Sequence, residues 1–285
     1  MCTCTHISMS LTDLSREITI YTGIVLVLTG FIGNLMNIYI FSKVQSYRKS
    51  SSAFYICISS IFNIGYIGIN LLSRIVSIAF SFDLTQISVV WCKTRQFCLV
   101  TLSLVTLTCS CLSTIDQYFV TSHKPSLRRF SNLKWSHRIV ILVVILSSIH
   151  GIFLILYSNI LANNCVITNS IFNIYIRIFI LVILCIVPVI VMILFGYLAF
   201  QNLQRTQFLS RQFADRQMTK MILFQVILIT CSITPYAIYI IYSLITSQMI
   251  KHANQLNNEA FVSTIINLFP YFYYSVSLFS KKKTM

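Results

Sequence analysis

The sequence predicts an all-α membrane protein built as a seven-transmembrane helix bundle, and two features of the chain lead to this prediction. Only 9% of the 285 residues are charged and 56% are hydrophobic, whereas a soluble domain is about one-quarter charged. The charged residues also cluster between charge-free runs that reach the ~20 residues a helix needs to cross a bilayer. The net charge of +15 does not indicate nucleic-acid binding, because that requires a basic face on a soluble fold.

We expect each run to be a helix, because backbone groups in lipid must be hydrogen-bonded within the segment. The run Ile139–Ile176 is too long for one span, so we expect a helix to about Ser158 and then a polar loop. The expected organisation is an N-terminal tail (residues 1–17), a seven-span domain (18–280) and a short basic cytoplasmic tail (281–285). The other six spans are Ile18–Ser42, Ser50–Ser73, Gln96–Ile115, Ile178–Gln204, Met221–Ile250 and Ala260–Ser280.

The distribution of Lys and Arg predicts the orientation of the bundle. Fifteen of the 21 basic residues lie in the segments on one side of the predicted spans, and six lie on the other side or at helix ends there. Because cytoplasmic loops carry an excess of Lys and Arg, we expect the N-terminus outside and the C-terminus in the cytoplasm.

The third span ends in Asp116, Gln117 and Tyr118, and Cys92 precedes Asp116 by 24 residues. On a helix this separation is roughly 36 Å, enough to cross a membrane with its head groups. These residues resemble a rhodopsin-like (class A) G protein-coupled receptor, of a divergent invertebrate orphan type. In that family an Asp-Arg-Tyr triplet ends the third span and a Cys begins it.

Other positions extend the resemblance over essentially the whole chain. The pair Gly33-Asn34 matches a Gly-Asn pair of the family's first span, and Trp91-Cys92 and Cys165 match its paired cysteines. All four prolines fall where the family tends to have one: Pro125, Pro188, Pro235 and Pro270. The resemblance implies a receptor fold in which the second outer loop is tied to the third span.

The resemblance implies a disulfide between Cys92 and Cys165, which can persist because the outer face is oxidising. Cys98 is an alternative partner that lies deeper on the helix. Asn34 and Asn63 are polar groups in apolar spans and are expected to face the bundle. Asn63 occupies the position of the family's sodium-binding Asp, so we expect a weak or absent sodium site. A packing hydrogen bond and a switching role both remain open for these amides.

Several positions depart from the family. Gln117 stands in place of the Arg that contacts the sixth span and the G protein, and Gln brings no charge. We therefore expect a polar contact, with Asp215 as the candidate partner, instead of an ion pair. Ile233 replaces a Trp and Phe269 replaces an Asn, whereas Tyr273 is retained. Pro235 and Pro270, together with Tyr273, are the expected switch residues.

The expected ligand pocket lies in the outer half of the bundle. Leu99 stands where amine receptors carry an Asp, and no Lys occurs in the seventh span where opsins carry one. Arg177 is interpreted either as a partner for a ligand carboxylate or as a marker of the membrane boundary. Tyr combines an apolar ring with a polar tip, which suits a peptide or a small organic ligand. The predicted pocket residues are Gln96, Leu99, Arg177, Tyr236 and Tyr239.

The sequence therefore predicts a plasma-membrane receptor that binds an extracellular ligand, such as a neuropeptide, and activates a heterotrimeric G protein. Asp116, Gln117 and Tyr118 are its expected coupling residues. We expect no cofactor, no metal and no nucleic-acid partner. The lipid bilayer that surrounds the bundle is an expected partner, besides the ligand and the G protein. A non-signalling orphan receptor is one alternative, and a transporter or channel is another, although those usually show intramembrane charges and repeats. An enzyme is not expected, because no HExxH or GxSxG motif occurs.

Overall fold

The structure is a computed structural model that describes residues 3–43, 50–80, 82–162, 164–205, 212–246, 249 and 251–275. The short helices Leu84–Ile87 and Pro125–Arg128 are left unnumbered. The main elements are α1 Thr3–Lys43, α2 Ser51–Phe80, α3 Val89–Thr121, α4 Leu133–Tyr157, β1 Ser158–Leu161, β2 Asn164–Ile167, α5 Ser170–Phe179 continued through Ile180–Ile186 and Val187–Arg205, α6 Gln212–Ile245, α7 Ala253–Ile266 and α8 Phe269–Ser275.

Helices α1 to α6 are each long and apolar enough to cross a membrane. Large aliphatic side chains are exposed along them, as on α4, where Ile141 and Leu142 are 59% and 55% exposed. Contiguous apolar surface of this kind suits lipid and not water. The prediction of an all-α membrane protein is therefore confirmed. The predicted seventh run, Ala260–Ser280, covers the second half of α7, a helix of 14 residues, and all of α8, a helix of 7 residues. Residues 276–280 of that run lie outside the described part of the chain.

Several helices extend beyond the predicted spans. Helix α1 begins at Thr3, so the predicted N-terminal tail is helical from that residue. Helix α2 continues past Arg74, α3 begins before Arg95, and α5 begins at Ser170, seven residues before Arg177. The prediction ended each span at a charged residue, but Arg is a good helix former with a long apolar stem. Charge therefore marked the ends of the apolar runs and not the ends of the helices.

The polar segment after α4, predicted to be a loop, is an antiparallel hairpin of β1 and β2 with Ile160 opposite Cys165. Ala162 adopts a φ of 47° at its turn, as tight hairpin turns require. Cys165 is disulfide-bonded to Cys92 near the start of α3, with a Cα–Cα distance of 5.7 Å. The hairpin thus lies over the end of the bundle that carries Cys92, called here the disulfide end. The opposite end is called the Asp116 end.

Helix α3 occupies the centre of the bundle and packs against α2, α4, α5 and α6. In the most apolar 18-residue stretch of α3, 56% is buried, whereas the corresponding share is 22% in α4 and in α5. Polar side chains that face neighbouring helices are therefore concentrated on α3, whereas α4 and α5 present most of their surface outward.

Two of the three span prolines coincide with an irregular helix. Pro188 follows the π-helical turns at Ile180–Ile186, which is consistent with its missing N–H and the clash of its ring with the preceding turn. Pro270 is the second residue of α8, directly after the break that follows α7. Pro235, by contrast, lies inside the continuous helix α6.

Candidate functional site

A cavity of about 240 Å³ lies between the helices in the half of the bundle nearer the disulfide end. Two of the predicted pocket residues, Leu99 on α3 and Tyr236 on α6, line it. Its wall also includes Arg74 from α2 and Arg95 from α3. The sequence analysis had placed both arginines at or beyond the ends of spans. The sequence signal that could have identified them is helical spacing continued beyond the apolar run, which places each arginine on the same helix as the run beside it.

The other predicted pocket residues lie beside the cavity and not in its wall. Gln96 directs its Nε2 toward the Sγ of Cys165 at 4.0 Å. Arg177 donates from Nη1 to Oγ of Ser243 at 3.3 Å, which joins α5 to α6. Tyr239 faces a separate groove between α6 and α7. The prediction that all five residues share one pocket is therefore not met by the geometry.

An acidic residue stands close to the disulfide end. Asp83 caps the short helix Leu84–Ile87 by accepting hydrogen bonds from N and Oγ1 of Thr85, at 2.8 and 2.6 Å. Partial burial opposes ionisation of this carboxyl group, but the hydrogen bonds outweigh it and hold the pKa of Asp83 below its ordinary value. The carboxylate is also near enough to Arg95 to interact with it electrostatically.

A polar cluster joins three helices in the middle of the bundle. Oγ of Ser110 on α3 and Oη of Tyr273 on α8 are hydrogen-bonded at 2.5 Å. Nε2 of Gln225 on α6 donates to both, at 3.0 Å and 3.4 Å. Ser110 and Tyr273 are almost fully buried, at 1% and 3% exposed. Ser110 and Gln225 were missed by the sequence analysis, although a polar residue inside an apolar run is itself a signal.

A second polar cluster connects α1, α2 and α8. Nδ2 of Asn34 donates to the carbonyl oxygens of Gly30 and Tyr274 at 2.8 and 3.0 Å. Nδ2 of Asn63 donates to Oδ1 of Asn34 at 3.1 Å. Both amides face the interior of the bundle. The bond to Tyr274 positions α8 against α1, and the bond from Asn63 joins α2 to α1.

The residues predicted for coupling lie together at the Asp116 end. The carboxylate of Asp116 accepts a hydrogen bond from Oγ of Ser52 on α2 at 2.5 Å. Gln117 donates from Nε2 to Oγ1 of Thr219 on α6 at 2.9 Å, and both residues are 1% exposed. Tyr118 packs its ring against Phe195 of α5, with centroids 5.6 Å apart.

At the Asp116 end, a neutral hydrogen bond therefore joins Gln117 on α3 to Thr219 on α6. Thr219 was not among the predicted site residues. Thr219 lies four residues after Asp215, the expected partner, so the two share a face of α6. The side chain of Asp215 lies outside the described part of the structure.

Within the described ranges, no three His, Cys, Asp or Glu side chains are grouped so that they could hold a metal ion. Cys98, the alternative disulfide partner, is a free and half-buried thiol. Neither a protein-family model nor a curated protein matches the chain.

Proposed function

We propose that this chain is a rhodopsin-like G protein-coupled receptor with seven spans, located in the plasma membrane. In this proposal the predicted run Ala260–Ser280 is the seventh span. The N-terminus and the disulfide end face outward, and the Asp116 end faces the cytoplasm. An extracellular ligand occupies the cavity, and a heterotrimeric G protein binds at the Asp116 end.

The observation that supports this proposal is the placement of three features on the same two helices. Helices α3 and α6 contribute Leu99 and Tyr236 to the cavity and Gln117 and Thr219 to the buried contact at the other end. Leu99 and Gln117 are 18 residues apart, which is roughly 27 Å along α3. The cluster around Ser110 lies between them.

This arrangement suits a two-state switch. Separation of α6 from α3 at the Asp116 end would break the hydrogen bond of Gln117 to Thr219 and expose a surface between the helices. A ligand can drive that change only by binding the open state more tightly than the closed state. Because the broken contact is neutral, it holds the closed state less strongly than a buried ion pair whose breaking strands a charge.

The test is G protein activation in cells that express the whole chain, challenged with a library of invertebrate neuropeptides and small organic ligands. We expect a response that is abolished by Leu99→Trp, which fills the cavity. Leu28→Trp is the matched control, because Leu28 is 58% exposed on the apolar outer face of α1. Surface expression is measured for each variant, and an N-terminal epitope that stains intact cells is expected from the proposed orientation.

Silence of the wild-type chain and of Gln117→Arg, both at normal surface expression, contradicts a signalling receptor and favours the non-signalling alternative. A ligand-dependent ion or solute flux without G protein activation favours a channel or transporter instead.

A further inference from the structure

Two cationic side chains line the cavity, and the carboxylate of Asp83, which interacts electrostatically with Arg95, is not part of its lining. Arg74 and Arg95 both line it, and its lining includes no Asp or Glu. In the part of the chain that the structure describes, the ion pair that forms is Lys251 with Glu259 at 2.5 Å, and it includes neither arginine. A charged residue inside a membrane bundle is costly unless it is paired, and such residues usually mark a functional site.

The hydrogen-bonding capacity of these arginines is not used up within the described structure. A guanidinium group carries five N–H donors. Arg74 donates from Nη2 to the carbonyl oxygen of Thr264 on α7 at 3.2 Å. Nε of Arg95 is fully buried and has no hydrogen-bond partner among the described residues. A buried donor of this kind costs free energy unless an acceptor reaches it, so an acceptor in the cavity would stabilise it.

None of the carboxylates that the structure describes lines the cavity. Asp13 and Glu17 are exposed on α1. Asp83 interacts with Arg95 only electrostatically and directs its oxygen to Thr85. Glu259 is paired with Lys251. Asp116 lies 21 residues after Arg95 on α3, roughly 30 Å away along the helix. Because no described carboxylate lines the cavity, an anion that completes the site is expected to come from a ligand.

The other residues of the cavity wall indicate the chemical character of the uncharged part of that anion. Leu107, Leu184 and Ile233 supply apolar surface, and Tyr66 and Tyr271 supply aromatic rings. The volume of about 240 Å³ is just below the roughly 300–1,000 Å³ that is typical of pockets for drug-sized ligands. The cavity therefore suits a compact ligand with an apolar or aromatic body and one charged end.

We propose that the cavity binds an organic oxyanion, with the guanidinium groups of Arg95 and Arg74 on its carboxylate or phosphate and its apolar body against the leucines. This inference rests on the proposed receptor function, since it assigns the ligand class of that receptor's cavity. Arg presents paired N–H groups that match the two oxygens of such a group. The anion is supplied either by a free small molecule or by the terminal carboxylate of a peptide.

The test uses the purified full chain in lipid nanodiscs and measures its thermal unfolding with matched pairs of probes. Aromatic carboxylates are compared with their amides, aromatic phosphate esters with their parent alcohols, and short peptides with free C-termini with their amidated forms. We expect the charged member of at least one pair to raise the unfolding midpoint, while its neutral member does not. The type of pair that responds identifies the source of the anion.

The arginines are then replaced singly. Arg95→Gln and Arg74→Gln are each expected to weaken binding of the charged probe by about tenfold to a hundredfold, the effect of losing a hydrogen bond between charged groups. Arg138→Gln is the matched control, because Arg138 is exposed near the start of α4, at the Asp116 end, where it lies over the ring of Trp135. The affinity of this variant for the charged probe is expected to equal that of the wild type.

The comparison of charged and neutral probes on the wild-type chain decides the inference even if an arginine variant does not fold. Equal midpoints for every charged and neutral pair overturn it, as does binding of a charged probe that is unaffected in both arginine variants. A probe that binds through the arginines, in a chain that activates no G protein either as wild type or as Gln117→Arg, removes the receptor proposal and leaves the anion site. If a neutral ligand activates the G protein and still does so in both arginine variants, the receptor proposal stands and the anion site is removed.

Discussion

Replacing Thr219 with Val tests the contact between α3 and α6 most directly. Val keeps the branched shape of Thr but removes the hydroxyl group that accepts a hydrogen bond from Gln117 at 2.9 Å. Both residues are 1% exposed, so water does not readily replace the lost acceptor. If this bond exists only in the closed state, its loss destabilises the closed state relative to the open one.

The size of the effect follows from the burial of the contact. Interhelical hydrogen bonds in membranes contribute about 0.6 kcal/mol on average, and a donor left unsatisfied in a buried site costs up to roughly 3 kcal/mol. This range shifts the balance between closed and open states by about threefold to 150-fold. Thr219→Val is therefore expected to raise ligand-free G protein activation by a factor within that range.

The assay is ligand-free G protein activation per receptor at the cell surface. Thr230→Val is the matched control, because Thr230 is on the same helix and donates only to the carbonyl oxygen of Val226 at 2.8 Å. Its ligand-free activity is expected to match that of the wild type. If Thr219→Val gives no more activity than Thr230→Val at equal surface expression, the contact does not hold the closed state.

Three further predictions concern stability and are checked by thermal unfolding of the purified chain. Cys92→Ala removes a bridge that spans 73 residues of sequence, so it is expected to cost roughly 4 kcal/mol on the chain-entropy account, whereas Cys98→Ala is expected to be nearly neutral; equal effects would mean that the bridge is not formed. Gly151→Ala would place a Cβ against the hydroxyl group of Thr101 and 2.7 Å from the ring of Phe97, both on α3. It is expected to lower the free energy of unfolding by roughly 1–3 kcal/mol. Its control is Gly65→Ala, whose Cβ meets side chains at ordinary contact distance, and similar unfolding of the two variants would contradict the tight approach of α4 to α3. Tyr273→Phe removes the hydroxyl shared by α3, α6 and α8 and is expected to cost about 1 kcal/mol, so an unchanged midpoint would show that the cluster does not hold these helices together.

The polar residues within the apolar runs show how far sequence reasoning reaches. Asn34 and Asn63 were expected to face the bundle, and both make interhelical hydrogen bonds there. This was predictable because an amide in lipid has no other way to be satisfied. Their partners were not predictable, since they come from residues up to 240 positions away in the chain. Gln117 illustrates the same limit, because its bond to Thr219 depends on the rotation of α6 and not on any local pattern.

The charged residues show where the reasoning was wrong. Predicted spans were ended at charged residues, since charge is costly in lipid, and Arg74 and Arg95 directly flank two of those spans. The structure has both on continuous helices with their side chains at a shared cavity. Whether an arginine on a helix faces lipid, water or the interior depends on which neighbours pack around it.

Composition and run length in the sequence establish a helical membrane protein, because they reflect the cost of placing charges and open backbone groups in lipid. The sequence also predicts that Asn34 and Asn63 face the inside of the bundle. The partners of these amides, the pairing of the segment after α4 into a hairpin, and the convergence of two arginines on one cavity come from the tertiary structure. Those outcomes depend on contacts between segments far apart in the chain, and local preferences do not specify such contacts.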